Sequence, residues 1–522
     1  MIRSLLIQNS KYDLILWLLF FVVFGGLFAL SYVYVVPSED AVILYEYAKN
    51  LAQTGLITYG GASVPIEGAT DFLWMVVIAF FKVFGINEFV TALFINFLCL
   101  AIMASLFKNS IEKTLVGAAF LLTPFLYSSL SGFSTITFSA LYVIAIKLLL
   151  DRSKYLYFSI LVLCLVRPDG VVWGTGLVMM RMLQCKNFDE FKGELRSGLS
   201  WLVFPGLIYF MLRYWYFGEL FPLPFLVKSS GHANLLIFHL GSLKAIGVVL
   251  LPVILTVIAQ LKDKKEATQF ILLFLLPVIF YAAMRLEQNV GNRFLAPMFF
   301  GGLYLLSRQY EIRATIIFVL VSAFSMFSIA VNTANSVANS SNENIYYLAK
   351  DLKQIHGKML ITEAGRLTYY SDWRSDDSWG LNTPKYAHRL ITSEDVRQGN
   401  YDLIVAHCGL DLLDPKHDLT HDGRRSWTNQ CKALVSAIKQ GDFSVYLVPF
   451  LNESASLKER IKSFVKGADS VPTQSCERHD IYAVSKQFQE REKLENLLYK
   501  HGGVAYNSKL DLVDDKVCPE SH

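Results

Sequence analysis

The sequence has no Gly-rich phosphate-binding loop, so nothing in it indicates a nucleotide-sugar or ATP site. None of its seven cysteines is spaced Cys-x-x-Cys, which removes the simplest zinc and redox motifs. It has no internal repeat, a common mark of secondary transporters. Charge is scarce as well: 18% of the 522 residues are Asp, Glu, Lys or Arg, against 53% hydrophobic. With a mean hydropathy of +0.38, that balance excludes a soluble protein of this size and implies an integral membrane protein whose partners include the bilayer. The formal net charge of +4 implies no nucleic-acid partner.

What is present is a succession of apolar runs. The first, 14–36, is long enough to cross a bilayer and lacks the short core and small-residue cleavage site of a removable signal, so it reads as a retained span. Others cover 71–86, 88–107, 114–130, 131–150, 156–166, 171–183, 198–217, 235–260, 269–284, 293–308 and 312–331. If the basic clusters between them (Lys108/Lys113, Arg152/Lys154, Arg181/Lys186, Lys262/Lys264/Lys265, Arg308/Arg313) are cytoplasmic, 71–107 crosses once in net and there are about eleven spans. The runs flanking Arg167-Pro168-Asp169-Gly170 are short, as in a hairpin whose tip stops at membrane depth. Beyond an Asn/Ser-rich linker at 332–344 the composition turns polar. Short β-rich runs at 358–362, 401–406, 443–450 and 481–485 alternate with helical stretches near 343–356, 429–440 and 486–500. The expected architecture is a polytopic α-helical membrane domain, 1–341, followed by an extracytoplasmic α/β domain, 342–522. Cys408, Cys431, Cys476 and Cys518 all lie in that second part, a pattern compatible with disulfides in an oxidising space.

Residues 37–74 organise the rest. Glu39 and Asp40 stand just beyond the first span, where acids are tolerated only when they face water or a polar site. Ala41, Leu44, Tyr45, Ala48 and Leu51 then recur at helical spacing, as in a helix lying on the membrane surface, and Gly55 ends it. Ile66-Glu67-Gly68-Ala69-Thr70-Asp71 leads to Phe72-Leu73-Trp74, where the next apolar run begins. An acid pair outside a span is often only a helix start. These two, however, accompany cations near membrane depth: Arg167, Arg213, Lys228, Arg285 and Arg293. Singly each can extend to the interface. Together they suit transfer of a sugar from a lipid phosphate. The leaving group is already an anion and needs positive charge, while the attacking hydroxyl needs one carboxylate base. A single base suffices for direct displacement with inversion, unlike glycoside hydrolysis with its two carboxyl groups.

The loop EDAVILYEYAKNLAQTGLITYGG…IEGATDFLW resembles the first-loop signature of polyprenyl-phosphate-sugar-dependent glycosyltransferases of the GT-C fold, especially the arabinofuranosyltransferase-like and mannosyltransferase-like branch. The likeness continues in Ser131-Gly132-Phe133, Leu165-Val166-Arg167-Pro168-Asp169-Gly170, Arg213-Tyr214-Trp215-Tyr216-Phe217-Gly218 with Pro222 and Lys228, Arg293-Phe294-Leu295-Ala296-Pro297, and Glu363-Ala364-Gly365. It implies a bacterial inner-membrane enzyme acting on the extracytoplasmic face, with a polyprenyl-phosphate sugar donor and a glycan, lipid or protein acceptor. It implies Asp40 or Glu39 as the base, with Asp40 favoured because the family pair is usually Asp-Asp. Arg293, Lys228 and Arg167 would hold the donor phosphate, and Glu67, Asp169, Arg213 and Trp74 would line the site. Glu46 stands where the family usually has arginine, and Ser134 where an acid often follows the Ser-Gly pair, which opens the acceptor and donor sugar to change.

Two readings of other classes compete: a transporter or flippase of lipid-linked sugars, and a scaffold whose tail binds carbohydrate. Asp376-Asp377 reads as a solvated turn, and His407 with Cys408, His417 and His421 is too loosely spaced for zinc. No cofactor is indicated, and a divalent cation is left open.

Overall fold

The structure is a computed structural model that describes residues 10–229, 239–260, 264–284, 286, 289–309, 312–340, 344–453 and 474–506. Arg285 and Cys518 lie outside the described residues. The first helix, α1 (Ser10–Tyr34), carries apolar side chains all round. Phe20, Phe24 and Phe28, one helical turn apart, are its buried face, whereas Leu14, Leu18, Val22 and Val33 stand exposed, as on a lipid-facing surface. The Phe24 ring lies so close to Gly117 that a Cβ there would come within 2.9 Å of it.

In chain order the helices that follow are α2 (Glu39–Thr54), α3 (Phe72–Val83), α4 (Glu88–Ser105), α5 (Ser110–Leu121), α6 (Phe125–Leu130) and α7 (Thr135–Leu150). Next come α8 (Leu156–Val166), α9 (Gly170–Leu183), α10 (Phe188–Gly198), α11 (Phe204–Phe217), α12 (Leu223–Ser229), α13 (Leu240–Gln260), α14 (Lys264–Ala283), α15 (Ala296–Gln309) and α16 (Ile312–Ser340). Four helical stretches among the described residues are long and apolar enough to cross a membrane: Asp13–Tyr34, Glu88–Ser105, Phe188–Phe217 and Ile312–Ala338. This is an integral membrane protein. Helix α3, with 12 residues, is about 18 Å long and much shorter than a bilayer core. Helices α8 and α9 form the short hairpin expected from sequence, and its turn requires Gly170, where a Cβ would lie 2.5 Å from the Leu163 carbonyl oxygen.

The linker expected at 332–344 is corrected: residues 332–340 continue α16. Thr333, Ala334 and Val337 are buried at helical spacing, so the Asn and Ser residues between them occupy the outer side of a packed helix.

The remainder contains α17 (Asn344–Leu352), β1 (Lys358–Ile361), α18 (Arg366–Ser371), β2 (Arg374–Asp377), α19 (Pro384–His388), α20 (Ser393–Gln398), β3 (Leu403–Ala406) and α21 (Trp427–Gln440). Strands β4 (Phe443–Glu453) and β5 (Gln474–Ser485), helix α22 (Arg491–Lys500) and strand β6 (Val504–Ala505) complete it. The strands form one six-stranded sheet in the order β2-β1-β3-β5-β4-β6. The first three are mutually parallel; β5, β4 and β6 add on antiparallel. Strand periodicity sorts the side chains. Met359, Ile361, Leu403, Val405, Tyr482 and Val484 face a core continuous with the membrane helices and the acidic loop, while Leu360, Ile404, Ala406, Ile481 and Ala483 face a second core under α21. A disulfide joins Cys408 to Cys431. Asp376-Asp377, expected as a solvated turn, ends β2 instead. Asp377 is 1% exposed because the Trp379 and Asn382 N–H groups, both at 2.9 Å, and the Asn382 side chain satisfy its carboxylate.

Candidate active site

The start of α2 is fixed from below by a turn. Ser38 donates its N–H to the Ser131 carbonyl at 3.0 Å, and the Tyr45 hydroxyl donates to the Gly132 carbonyl at 2.9 Å. Gly132 has a φ of +96°, and a Cβ there would collide with the Tyr45 hydroxyl, so only glycine serves. The next residue, Phe133, turns its ring under the acid pair's partner, Arg293.

Asp40 accepts a hydrogen bond from Arg293 Nη2 at 3.2 Å. Arg293 is buried, with its guanidinium 3.8 Å above the Phe133 ring and 4.9 Å from that of Phe294. It is aimed there by a kinked turn, Val290–Leu295, in which Gly291 and Asn292 both take the left-handed conformation.

Arg167 comes with its own counter-ion. Its Nε and Nη2 donate to Asp169 at 3.0 and 2.7 Å, and Tyr281 donates its hydroxyl to the same carboxylate while accepting from Trp173 Nε1 at 3.2 Å. The Phe294 ring is close to both guanidinium groups, lying 4.8 Å from Arg167. Asp71 completes the cluster. It accepts from the Ser134 hydroxyl at 3.2 Å and lies within the field of Arg167 and Arg293.

Glu39 points the other way. Its carboxylate accepts from the Gly365 N–H at 2.7 Å and the Arg366 N–H at 3.1 Å, with the Arg366 guanidinium 3.9 Å off. That guanidinium donates to the Pro37 carbonyl at 3.2 and 3.0 Å. A Cβ on Gly365 would sit 2.6 Å from the Glu39 carboxyl. Glu39 thus ties the acidic loop to the segment after β1, leaving Asp40 as the acid that faces the cations.

Desolvation pushes the Glu39 pKa up to about 7, with Glu363 adding to the rise and Arg366 opposing it. A carboxyl raised on folding contributes stability that is complete below its unfolded pKa and is lost as pH climbs through about 7. Glu39→Gln is therefore expected to gain thermal stability relative to wild type between pH 5 and pH 8. Parallel unfolding curves across that range would refute the shift.

The other residues singled out in the sequence lie elsewhere. Glu67 and Arg213 form a buried two-point pair, with Arg213 Nε to Glu67 Oε1 at 2.5 Å and Nη1 to the Leu220 carbonyl at 2.9 Å. The Glu67 carbonyl also accepts the Leu223 N–H at 3.1 Å, so the pair anchors α12. Lys228 is exposed on α12 and makes no ion pair among the described residues. Trp74 is buried in the apolar core. Among the described residues no group of three or more His, Cys, Asp or Glu side chains is arranged to hold a metal ion. An apolar cavity of about 260 Å³ between α1 and α5, lined by Asp13, Trp17, Phe24 and Lys113, shares no residue with the acid cluster.

The overall fold is similar to that of ArnT from Cupriavidus metallidurans. The apo structure of that protein is 12% identical, with 80% of this chain and 97% of that one covered at a TM-score of 0.49. Its structure bound to undecaprenyl phosphate is likewise 12% identical, covering 78% and 96% at 0.48. No family model and no curated protein matches the sequence.

Reasoning from sequence gave no role to Asp71, Tyr281 or Arg366. Asp71 stands in the quoted loop and Arg366 directly follows Glu363-Ala364-Gly365, so neighbourhood was a usable signal for both. Tyr281 lies in an apolar run, and no local pattern announces that it meets Asp169.

Proposed function

We propose that this protein is a membrane glycosyltransferase that transfers a sugar from a polyprenyl-phosphate donor to an extracytoplasmic glycan, lipid or protein acceptor. The observation that carries the reading is the pairing of a half-buried Asp40 with the buried guanidinium of Arg293 at the head of the first loop. In the reaction an acceptor hydroxyl attacks the anomeric carbon as the bond from that carbon to the phosphate oxygen breaks. The hydroxyl proton passes to Asp40, the configuration inverts, and the charge of the departing lipid phosphate develops beside Arg293. Arg167, locked to Asp169, supports the field and orients the cluster, and Lys228, exposed on α12, is the second cation proposed for the phosphate. Glu39 positions Asp40 through its hold on Gly365 and Arg366.

The same reading places about eleven spans in the bacterial inner membrane, with the acid loop and the sheet on the extracytoplasmic face. The Cys408–Cys431 disulfide supports an oxidising compartment for the sheet. Lys228→Cys is expected to react with an impermeant maleimide added outside spheroplasts, above the labelling of the native cysteines. Labelling only after lysis would reverse the topology. Lipid analysis of cells lacking the protein tests the function itself: a lipid-phosphate sugar should accumulate, and an unchanged lipid profile would count against a transferase.

A further inference from the structure

His407 is not used by the chemistry above, yet it belongs to a second ordered cluster. Strand β1 lies between β2 and β3, both parallel to it, so the chain leaves β1 toward one side and later returns on the other. In open α/β sheets ligands bind outside the carboxyl ends of the strands at such a reversal. Glu363 follows β1 there and His407 follows β3, with His407 Nδ1 2.8 Å from Glu363 Oε1. Trp427, at the start of α21 and 40% exposed, donates its indole N–H to the His407 carbonyl at 3.2 Å and sets its ring edge-on to the imidazole. Trp379 stands beside it, ring centroids 5.7 Å apart and planes at 55°, so the two indoles form a corner next to the Glu–His pair. The corner is held in place. Arg425 donates to the carbonyls of Trp379 at 2.7 Å, Tyr386 at 2.6 Å and Ala387 at 3.0 Å, and the Cys408–Cys431 bridge ties the His407 loop to α21.

The cluster adjoins the acid loop. Glu363 lies two residues before Gly365, whose N–H binds Glu39, and Glu39 precedes Asp40. We propose that the Trp379–Trp427 corner with Glu363 and His407 is the acceptor subsite and that it takes a carbohydrate. Indole rings offer broad apolar faces to the C–H side of a sugar ring, and a carboxylate beside an imidazole can accept from and donate to adjacent hydroxyls. This rests on the transferase reading and narrows its acceptor to a glycan.

The test uses the full-length protein in lipid nanodiscs with the glycan and glycolipid fraction extracted from cells that lack it. Hydroxyl-radical footprinting should show Trp379 and Trp427 oxidised roughly threefold more slowly when that fraction is present. Mild periodate treatment of the fraction, which cleaves vicinal diols, should abolish the protection. In a transfer assay Trp427→Ala should raise the acceptor KM about tenfold with a much smaller change in kcat, and Trp427→Phe should restore most of the affinity. Unchanged oxidation of both indoles at saturating fraction, whether or not sugar is transferred, overturns the proposal. So does protection that survives periodate and is lost on proteolysis, which would indicate a polypeptide. An active Asp40→Asn enzyme would instead overturn the base assignment and leave the footprint as an independent reading.

Discussion

Asp40→Asn is expected to lower sugar transfer by about 10²–10⁴-fold, the usual effect of removing a well-placed general base. The substitution keeps size and polarity, and Asn can still accept from Arg293, so the cluster should keep its shape. What it loses is the capacity to take the acceptor's proton. Glu39→Gln should behave differently despite adjacency, because that side chain is already engaged by the Gly365 and Arg366 N–H groups, which an amide oxygen can also engage. A modest fall in rate, accompanied by the altered pH dependence of unfolding, is the expected outcome. Equal and severe losses in both variants would mean that the two acids share the proton. Wild-type transfer in both would remove the base from residues 37–74 altogether, and a flippase would then account better for the chain.

The second large effect is expected at Arg293. Replacing it with Ala removes a buried cation from between two rings and leaves Asp40 without its partner, and binding of a lipid phosphate should weaken by roughly 2–5 kcal/mol. Some of that loss reflects the unpaired carboxylate rather than the missing contact. The double variant Asp40→Asn/Arg293→Ala separates the two contributions, since it removes both members of the pair. Arg167→Ala should damage the protein more broadly. Asp169 would lose its cationic partner inside the hairpin tip and keep only the Tyr281 hydroxyl, so reduced folded yield, rather than selective loss of affinity, is the expected signature.

Much of this arrangement was legible in residue order, and the reason is physical. The acid pair, the Ser131-Gly132-Phe133 turn, the hairpin tip and the Val290–Leu295 turn are each specified locally by glycine, proline or a run of polarity inside apolar sequence. Such signals survive without knowledge of the fold. The parallel core of the sheet was legible in part: β1 and β3 stood out as short β-rich runs, whereas β2, Arg374–Asp377, is polar and becomes a strand only because β1 pairs with it. Which acid faces the cations was not legible. That depends on Gly365 and Arg366, more than 300 residues away, arriving at Glu39 and leaving Asp40 for Arg293. Glu67 and Arg213 were expected to line the site from the motifs that carry the family resemblance; their mutual pairing across 146 positions makes them an anchor for α12. Charge at membrane depth marks a residue as costly; only the fold reveals whether a partner or a ligand offsets the cost.

The lipid product of the proposed reaction is a polyprenyl phosphate whatever sugar is carried, so its binding can be measured without knowing the donor. Titrating polyprenyl phosphate into wild type, Asp40→Asn and Arg293→Ala in nanodiscs tests the central pairing most directly. Arg293 should exchange Asp40 for the phosphate. Arg293→Ala should therefore bind at least about tenfold more weakly, and Asp40→Asn, freed of a competing negative charge, should bind as tightly as wild type or more so. Asp40→Asn weakening the lipid as much as Arg293→Ala, or neither changing it, would contradict the account.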